Sequence, residues 1–256
     1  MDDVGQALTP STTQPGTRDA RGLDELLSLR SDFTRFMLEY RFGVEEMKTK
    51  IEILRLEFAH LHQHNPIEHV SSRLKSPESI IAKVARKGID PSFDAIRASI
   101  TDIAGLRITC SFVSDVYRVA DMLTRQEDVT VLQVKDYVAE PKPNGYRSLH
   151  LLVQVPVFLS DEVVPVTVEL QLRTVAMDFW ASLEHKIHYK YDRDVPASVR
   201  EGLDRSARTA AELDALMADL HQQVHGDAPG TSDAPDPVVP TDAVLENLQR
   251  IPESRA

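Results

Sequence analysis

The chain has 256 residues, 42% of them hydrophobic, and a formal net charge of -11. This length and apolar content suffice for one substantial core with a helical appendage, and they exclude a chain that is disordered throughout. The negative charge argues against a general nucleic-acid coat, because such binding depends on neutralising phosphates. Any anionic ligand would therefore need a local basic cluster.

The sequence also bears on the compartment. No apolar run approaches the length of a membrane span, and the first residues lack the basic start and apolar stretch of a signal peptide. The single cysteine, Cys110, rules out an internal disulfide and lies among apolar residues. We therefore expect a cytoplasmic protein with a packed thiol and no membrane partner.

Residues 1–22 are rich in Thr, Pro, Gly and Asp without a period, and they predict a disordered lead. Residues 23–65 predict a long amphipathic helix that ends near Pro66. Its apolar positions alternate in steps of four and three: Phe33, Met37, Tyr40, Val44, Met47, Ile51, Leu54, Phe58 and Leu61. This stripe either packs on its own subunit or joins two subunits as a coiled coil, and Gly43 weakens both alternatives slightly.

The middle of the chain alternates strands and helices, which predicts an α/β (α+β) fold. "GLRITCSF" and "VTVLQV" read as strands, separated by a short helix with Ser114 as its cap. "SLHLLVQVPVF" and "VPVTVELQLRT" predict a hairpin. If the apolar faces of these strands share one core, His150, Glu169, Gln171 and Arg173 share the opposite face with Arg107.

Two helices are predicted to follow, with Thr174 as a plausible cap of the first. "AMDFWASLEHKIHYKY" places Trp180, Leu183 and Ile187 inward. A helix over about residues 197–224, within a C-terminal segment 193–224, has an apolar stripe formed by Val199, Leu203, Ala207, Ala210, Leu213, Met217 and Leu220. Residues 225–256 begin with a Pro, Gly and Asp linker and predict a mobile tail.

The common phosphate-binding loops are missing from the sequence. It contains neither a Walker A motif nor a Gly-rich dinucleotide fingerprint. The histidines of "HLHQH", residues 60–64, have metal-like spacing, but on a polar helix end such residues are more often a solvated surface.

Basic residues surround a predicted helix start in "SSRLKSPESIIAKVARKG", where free N–H groups favour phosphate. Alone, such a charge run usually marks a solvated face. Asp102 lies just before a strand and Glu169 projects from the polar face of another, so both can aim at one Mg²⁺ between bound phosphates. Alternatively, Asp102 caps a turn and Glu169 pairs with Arg173 or Arg107.

The segment "KPNGYRSLH" supplies features of a second nucleotide site. Asn144 and Gly145 form a turn, and Tyr146 offers a ring for base stacking. Lys142, Arg147 and His150 offer anion contacts. Two cationic segments and two carboxylates indicate two bound nucleotides.

These motifs together carry a family resemblance. "SRLKSPESI", "DIAGLRI", "KDYVAEPKPNGYRSLHL" and "VELQLRT", followed by "AMDFWASLEHKIHYKY", resemble the synthetase domain of RelA/SpoT proteins, and most closely its single-domain form, the small alarmone synthetases. The resemblance covers residues 66–192. It implies a mixed, largely antiparallel sheet of the nucleotidyltransferase-like synthetase type, flanked by helices. It also implies transfer of the β,γ-pyrophosphate of ATP to the 3′-hydroxyl of GDP or GTP, giving (p)ppGpp and AMP.

The resemblance also implies roles for single residues. Arg73 and Arg107 would sandwich the adenine, while the ATP phosphates would contact Lys75, Ser79 and Lys83. Asp102 would bind Mg²⁺, and Glu169 would bind it or accept the 3′-hydroxyl proton. The residues implied for the acceptor are Lys142, Asn144, Tyr146, Arg147, His150, Gln171 and Asp178. Asp178 departs from the Asn common in this family, and its charge costs more to bury.

The family implies a homo-oligomer, typically a tetramer built by the terminal helices, and an alarmone or single-stranded RNA as a possible regulator. The hydrolase half of longer members is missing, so synthesis without alarmone breakdown is expected. Two alternatives are a silent alarmone- or RNA-binding module and a nucleotidyltransferase. Retention of Asp102 and Glu169 argues against the first, and the single acidic residue in "TDIAG" argues against the second.

Overall fold

The computed structural model describes residues 17–62, 64–190 and 195–225. In chain order the elements are α1 Thr17–Leu61, β1 Ile67–Leu74, α2 Pro77–Lys87, α3 Phe93–Ser99, β2 Ala104–Cys110, α4 Val113–Thr124, β3 Thr130–Asp136, β4 Leu149–Phe158, β5 Val163–Thr174, α5 Val175–Lys190 and α6 Ala197–His225. Two compact units divide within α1, between Glu39 and Tyr40. No helix in the described ranges has an apolar stretch long enough for a bilayer crossing.

The first unit contains the beginning of α1. This helix begins at Thr17, just after Pro15 and Gly16, so residues 17–22 are helical although the sequence placed them in the lead. Pro and Gly together explain why the helix begins at this point. The rest of the predicted lead, residues 1–16, lies outside the described residues.

The second part of α1 packs on the body of its own subunit. Tyr40, Val44, Met47, Ile51 and Phe58 of the predicted stripe are buried. Gly43 explains the close approach, because a Cβ there would lie 2.5 Å from the Cγ1 atom of Val166 in β5. Over this part the stripe therefore packs on its own subunit, which was the first of the two alternatives. Gly43, expected to weaken the helix, is the residue that lets it pack closely.

The five strands form one mixed sheet in the order β1-β2-β5-β4-β3. Only β2 and β5 are parallel, and the other neighbouring pairs are antiparallel. The predicted mixed, largely antiparallel sheet is confirmed, and so is the hairpin of β4 and β5, in which His150 lies opposite Gln171. Alternation puts Leu151, Val153 and Leu170 in the core and leaves the polar set on the other face.

The start of α4 differs from the prediction. The residue at the N-cap position is Phe112, and Ser114 lies inside the first turn. The carboxylate of Asp115 accepts a hydrogen bond from the Phe112 backbone N–H at 3.2 Å. An acidic side chain at the third helical position thus satisfies the helix start, and no serine cap is needed.

The predicted cap of α5 is confirmed, because the Thr174 hydroxyl accepts a hydrogen bond from the Met177 N–H at 3.1 Å. Trp180 is buried and its indole N–H donates to the Leu203 carbonyl. Leu183 was predicted to be inward, and that is wrong, since it is 40% exposed. It lies on an open groove between α5 and α6.

The stripe of α6 is buried only in its first half. Leu203 and Ala207 are buried, whereas Leu213, Met217 and Leu220 are 49%, 46% and 43% exposed. The apolar pattern of α6 thus continues over residues that the described part of the chain leaves about half exposed. The predicted mobile tail lies outside the described residues, apart from His225, which ends α6.

Candidate active site

A small cleft opens on the polar face of β1, β2 and β5. Its volume is about 140 Å³, and the side chains and backbone around it are Ser71, Ser72, Arg73, Asp102, Gly105, Leu106, Arg107, Glu169 and Gln171. We call it the polar cleft. It brings together five of the predicted site residues: Arg73, Asp102, Arg107, Glu169 and Gln171. The parallel pairing of β2 with β5 sets Glu169 opposite Gly105, three residues after Asp102.

Two lysines hold the carboxylate of Asp102. Lys83 Nζ lies 2.7 Å from Oδ1 and Lys75 Nζ lies 3.0 Å from Oδ2. Burial by itself would raise the pKa of Asp102, but the hydrogen bonds from Lys83 and Lys75 outweigh it and lower that pKa. Asp102 is therefore ionised at neutral pH, and the cluster keeps one positive charge in excess.

Ser79 lies in the first turn of α2, which begins beside these lysines. The side chain of Ser76 caps the helix by accepting from the Ser79 N–H at 3.3 Å, and the two hydroxyl oxygens are 3.1 Å apart. Lys83 follows Ser79 by one turn and lies on the same face of α2. A hydroxyl and two ammonium groups thus meet near a helix N-terminus, the arrangement that suits phosphate.

Glu169 is held by two donors from its own face of the sheet. Its Oε1 atom lies 3.3 Å from His150 Nδ1, and its Oε2 atom accepts from Gln171 Nε2 at 3.2 Å. The hydrogen bond with His150 lowers the pKa of Glu169, against partial burial and the negative charge of Asp102, which raise it. Glu169 is thus an ionised carboxylate whose partners are His150 and Gln171, rather than Arg173 or Arg107.

The loop before β4 presents Tyr146 beside this carboxylate. The Tyr146 hydroxyl lies 2.8 Å from His150 Nε2. The ammonium group of Lys142 lies 4.5 Å from the ring centroids of both Tyr137 and Tyr146, a cation–π arrangement. Tyr137 is a neighbour that the sequence reasoning missed, because no local pattern distinguishes it.

The predicted turn is present at Asn144 and Gly145. Gly145 has φ +82° and its N–H donates to the Lys142 carbonyl at 2.8 Å. A Cβ there would lie 2.5 Å from the Cβ of Ala207, so both the turn and the packing against α6 require glycine. The side-chain amide of Asn144 donates to Glu184 in α5.

Asp178 connects the two sides of the site. Its Oδ1 atom lies 3.1 Å from Arg107 Nη1 and 3.0 Å from Arg173 Nη1. Two guanidinium groups thus compensate the charge whose burial the sequence made doubtful. The Nε atom of Arg107 is buried, and no atom of the described residues accepts a hydrogen bond from it.

The structure separates Arg147 from the polar cleft. Arg147 lies between the 141–147 loop and α6, in a cavity of about 450 Å³ that Lys142 and Arg208 also line. Neighbouring residues of an extended chain point to opposite sides, so Arg147 faces away from the side of Tyr146 and His150. The acceptor residues named from the sequence therefore divide between two sides of this loop.

The remaining candidates have ordinary structural partners. His64 of the histidine segment lies 2.8 Å from Asp115 Oδ2, and His62 lies near Glu57. Across residues 17–62, 64–190 and 195–225, no three His, Cys, Asp or Glu side chains form a group that could hold a metal. Cys110 is buried as predicted, and burial raises its pKa to about 12.

Comparison with known proteins places the chain and its fold in one family. Residues 72–194 match the region found in RelA and SpoT proteins. Among curated proteins, the chain is 46% identical over 202 residues to GTP pyrophosphokinase YwaC of Bacillus subtilis, covering 79% of this chain and 96% of that protein. It is 42% identical over 190 residues to GTP pyrophosphokinase YjbM of the same organism, covering 74% and 89%.

Solved structures of the same family superpose on this chain. Small alarmone synthetase 1 of Bacillus subtilis bound to its product pppGpp superposes with a TM-score of 0.70 at 40% identity, covering 76% of this chain and 99% of that one. The same protein bound to AMPCPP gives a TM-score of 0.65 at 37% identity, covering 77% and 99%. The chain belongs to the RelA/SpoT family, and the family prediction from the motifs is confirmed.

Proposed function

We propose that the chain transfers the β,γ-pyrophosphate of ATP to the 3′-hydroxyl of GDP or GTP. The chain is a GTP pyrophosphokinase that makes (p)ppGpp, in agreement with the prediction from its motifs. The observation that carries the detailed proposal is the meeting of Asp102 and Glu169 at one cleft, with Lys75 and Lys83 on the first carboxylate and His150 on the second.

We assign the ATP to the side of β1, β2 and α2. Arg73 lies opposite Gly105 and Arg107 lies opposite Ser71 in the antiparallel ladder, so the two arginines occupy positions two residues apart on neighbouring strands, and both line the cleft. This spacing supports an adenine held between them. Lys75, Ser79 and Lys83 then contact the triphosphate. The Asp102–lysine contacts place these cations before ATP arrives, so little reorganisation is needed on binding.

We propose Mg²⁺ as the cofactor. Two ionised carboxylates, Asp102 and Glu169, line the same cleft, and this donor set fits a cation that takes one or two protein carboxylates plus phosphate oxygens. When bound, the ion would neutralise charge on the phosphates. The chain's own lysines share that work, because the positive excess around Asp102 faces the same ligand.

On the acceptor side, we propose that guanine stacks on Tyr146. Lys142 now lies over that ring, so the incoming base would replace its ammonium group and leave it near the acceptor's phosphates. Asn144, Gln171 and Asp178 supply polar groups around the base and ribose, and His150 supplies a further donor. Arg147, on the other side of the loop, contributes only if the acceptor's 5′ phosphates extend past Lys142.

In the reaction, the acceptor's O3′ forms a bond to the β-phosphorus, and the bond from that phosphorus to the α,β-bridging oxygen breaks. The electron pair leaves with AMP, and the 3′-hydroxyl proton goes to the carboxylate of Glu169 if that group is the base. Its lowered pKa keeps it ionised and able to accept. As a metal ligand instead, the same carboxylate would act through charge alone.

We also propose a homo-oligomer, because α5 and α6 leave apolar side chains exposed along their groove. The family resemblance favours a tetramer. A cytoplasmic location, and regulation by an alarmone or single-stranded RNA, stay predictions from the sequence and the family resemblance.

The experiment is nucleotide chromatography after incubating the protein with Mg²⁺, ATP and either GDP or GTP. AMP should appear together with a pyrophosphorylated guanosine nucleotide, and Glu169→Gln should reduce the rate by about 10²- to 10⁴-fold, whether the residue is base or ligand. Asp121→Asn is the matched control, since it removes an exposed carboxylate paired with Arg125. Surviving ATP in the presence of folded protein and both acceptors would contradict the proposal.

A further inference from the structure

Arg173 is a buried charge that the proposed reaction has not yet used. It lies near the end of β5, its side chain is 5% exposed, and its guanidinium group donates to four side chains. Nε donates to Ser148 Oγ at 3.4 Å, Nη1 to Asp178 Oδ1 at 3.0 Å, and Nη2 to Tyr146 Oη at 2.6 Å and to Gln171 Oε1 at 3.2 Å. Asp178 pairs with its charge, and these bonds use four of the five N–H donors of the guanidinium group.

The donors of Arg173 fix the direction of a hydrogen-bond chain to Glu169. A guanidinium group has no acceptor, so the Tyr146 oxygen must accept from it and the Tyr146 O–H is left to donate. The nearest partner is His150 Nε2, at 2.8 Å. That nitrogen therefore accepts, and neutral His150 carries its proton on Nδ1, which lies 3.3 Å from Glu169 Oε1.

The second contact of Nη2 works in the same way through Gln171. Because Arg173 can only donate, the amide oxygen of Gln171 must face it, and the amide nitrogen must face the other way. That nitrogen donates to Glu169 Oε2 at 3.2 Å. One guanidinium group thus aims two N–H donors, one at each oxygen of the same carboxylate.

We propose that Arg173 is a positioning residue for pyrophosphoryl transfer, which orients His150 and Gln171 toward Glu169 and holds the Tyr146 ring for the acceptor base. This inference rests on the proposed function. The planar fork is essential, because Asp178 accepts from Nη1 while Tyr146 and Gln171 both accept from Nη2. A lysine ammonium cannot present the same directions to all three at once.

The kinetic test compares Arg173→Lys and Arg173→Met with the wild type. Arg173 reaches Glu169 only through other side chains, so we expect kcat to fall by about 10- to 100-fold in Arg173→Met. KM for ATP should stay within about threefold, and the acceptor KM should rise, because Tyr146 loses its anchor. Arg173→Lys keeps the charge and is expected to fold, yet to recover only part of kcat. Wild-type kcat in folded Arg173→Lys would overturn the inference.

A double-mutant cycle separates positioning from a general structural role. Tyr146→Phe keeps the ring and removes only the hydroxyl, so it breaks the chain to His150 and leaves Arg173 in place. If Arg173 acts through Tyr146, Arg173→Met should cost at least about threefold less in the Tyr146→Phe background than in the wild type. Equal costs in the two backgrounds would overturn the proposed route.

Nitrogen NMR of histidine-labelled protein gives a readout that needs no turnover. Among the 9 histidines, the His150 signal is assigned by its loss in His150→Gln. At a pH where His150 is neutral, the wild type should show the Nδ1–H tautomer, which the ionised Glu169 also favours, so the readout is the chemical shift of Nε2. Tyr146→Phe removes the donor to Nε2 and should move that shift toward the value of a ring nitrogen without a hydrogen bond. An unchanged Nε2 shift in that variant overturns the inference. An inactive wild type whose Nε2 shift still responds overturns the proposed function and, with it, the catalytic role of this orientation.

Discussion

The polar cleft and the groove between α5 and α6 differ in almost every property. The cleft measures about 140 Å³ and contains two carboxylates and two arginines. The groove measures about 980 Å³ and is lined largely by apolar side chains, including Phe179, Leu213 and Met217. The larger cavity is thus the one with mainly apolar side chains, so cavity size would be a poor guide to the reaction site that we propose.

The two regions also differ in how their side chains are satisfied. In the cleft, Asp102 and Glu169 already have hydrogen-bond partners, which a charged ligand can replace or share. In the groove, Phe179 is 67% exposed. Removing that apolar surface from water is favourable, and no hydrogen bond is lost when it is covered. We therefore expect the cleft to bind nucleotides and the groove to bind another protein surface.

Asp102→Asn should have the largest effect, and it acts on the cleft alone. The change leaves Lys75 and Lys83 without their shared carboxylate and removes one of the two anionic groups proposed to bind Mg²⁺. We expect the rate of (p)ppGpp synthesis, measured by nucleotide chromatography, to fall by about 10²- to 10⁴-fold. Asp128→Asn is the control, because it breaks an Asp–Lys pair with Lys50 and neither residue lines the cleft. Activity within tenfold of wild type would argue against this assignment.

Gly145→Ala tests the place where the acceptor loop meets α6. The new methyl group would clash with Ala207 and would also sit at a positive φ, so we expect a loss of about 1–3 kcal/mol in the free energy of unfolding, measured with urea. Glycine inside α6 itself costs about 1 kcal/mol, so the comparison is made in the Ala207→Gly background, where Gly145→Ala should cost only the part due to φ. If Gly145→Ala costs as much in that background as in the wild type, contact with Ala207 is not the cause.

Leu213→Ser and Met217→Ser test the groove. Both side chains are about half exposed, so their loss should change the stability of one subunit by no more than about 0.5 kcal/mol. We expect weaker self-association in sedimentation experiments, with synthesis per subunit within about threefold of wild type at concentrations where the oligomer persists. Leu132→Ser, at an exposed position on β3, is the control. A wild type that is monomeric at micromolar concentration would refute the groove as a subunit interface.

Asp214→Asn should have the smallest effect, and it depends on pH. Burial raises the pKa of Asp214, although the hydrogen bond from Thr174 and the charge of Arg147 lower it. The pKa of Asp214 is therefore higher in the folded protein than in the unfolded chain, so ionisation of this carboxyl destabilises the fold. The destabilisation is complete at pH values above the folded-state pKa and absent at pH values below the unfolded-state pKa.

The asparagine keeps an acceptor for Thr174 and carries no charge. Its advantage in thermal unfolding should therefore be largest at neutral pH and disappear as the pH falls toward about 4. Asp219→Asn, exposed on the same helix, is the comparison. An advantage that grows on acidification would show that the sign is wrong.

Local patterns were sufficient for much of the fold. The alternation in β4 and β5 predicted both their pairing and the polar face that contains His150 and Glu169, because side chains of a strand point to alternate sides wherever the strand lies. The Thr174 cap and the end of α1 before Pro66 follow from equally local chemistry. The Ser114 cap failed because the helix begins earlier, with Phe112 at the N-cap and its N–H donating to the Asp115 carboxylate.

The burial of apolar side chains in α5 and α6 was less predictable. Leu183, Leu213 and Met217 fit apolar stripes, yet each is substantially exposed. A periodic stripe shows which face of a helix is apolar, but it does not show what covers that face. The groove is the result, and only packing between α5 and α6 reveals it.

By itself the sequence determined the family, the strand pairing of the hairpin and most of the cleft residues, since these depend on motifs and on side-chain periodicity. Tertiary structure decided three things. It turned Arg147 toward α6, placed Asp178 between Arg107 and Arg173, and buried Arg173 so that its donors orient two partners of Glu169. Hydrogen-bond direction depends on which donors and acceptors meet in space, and these groups meet only when a loop, a strand and a helix pack together.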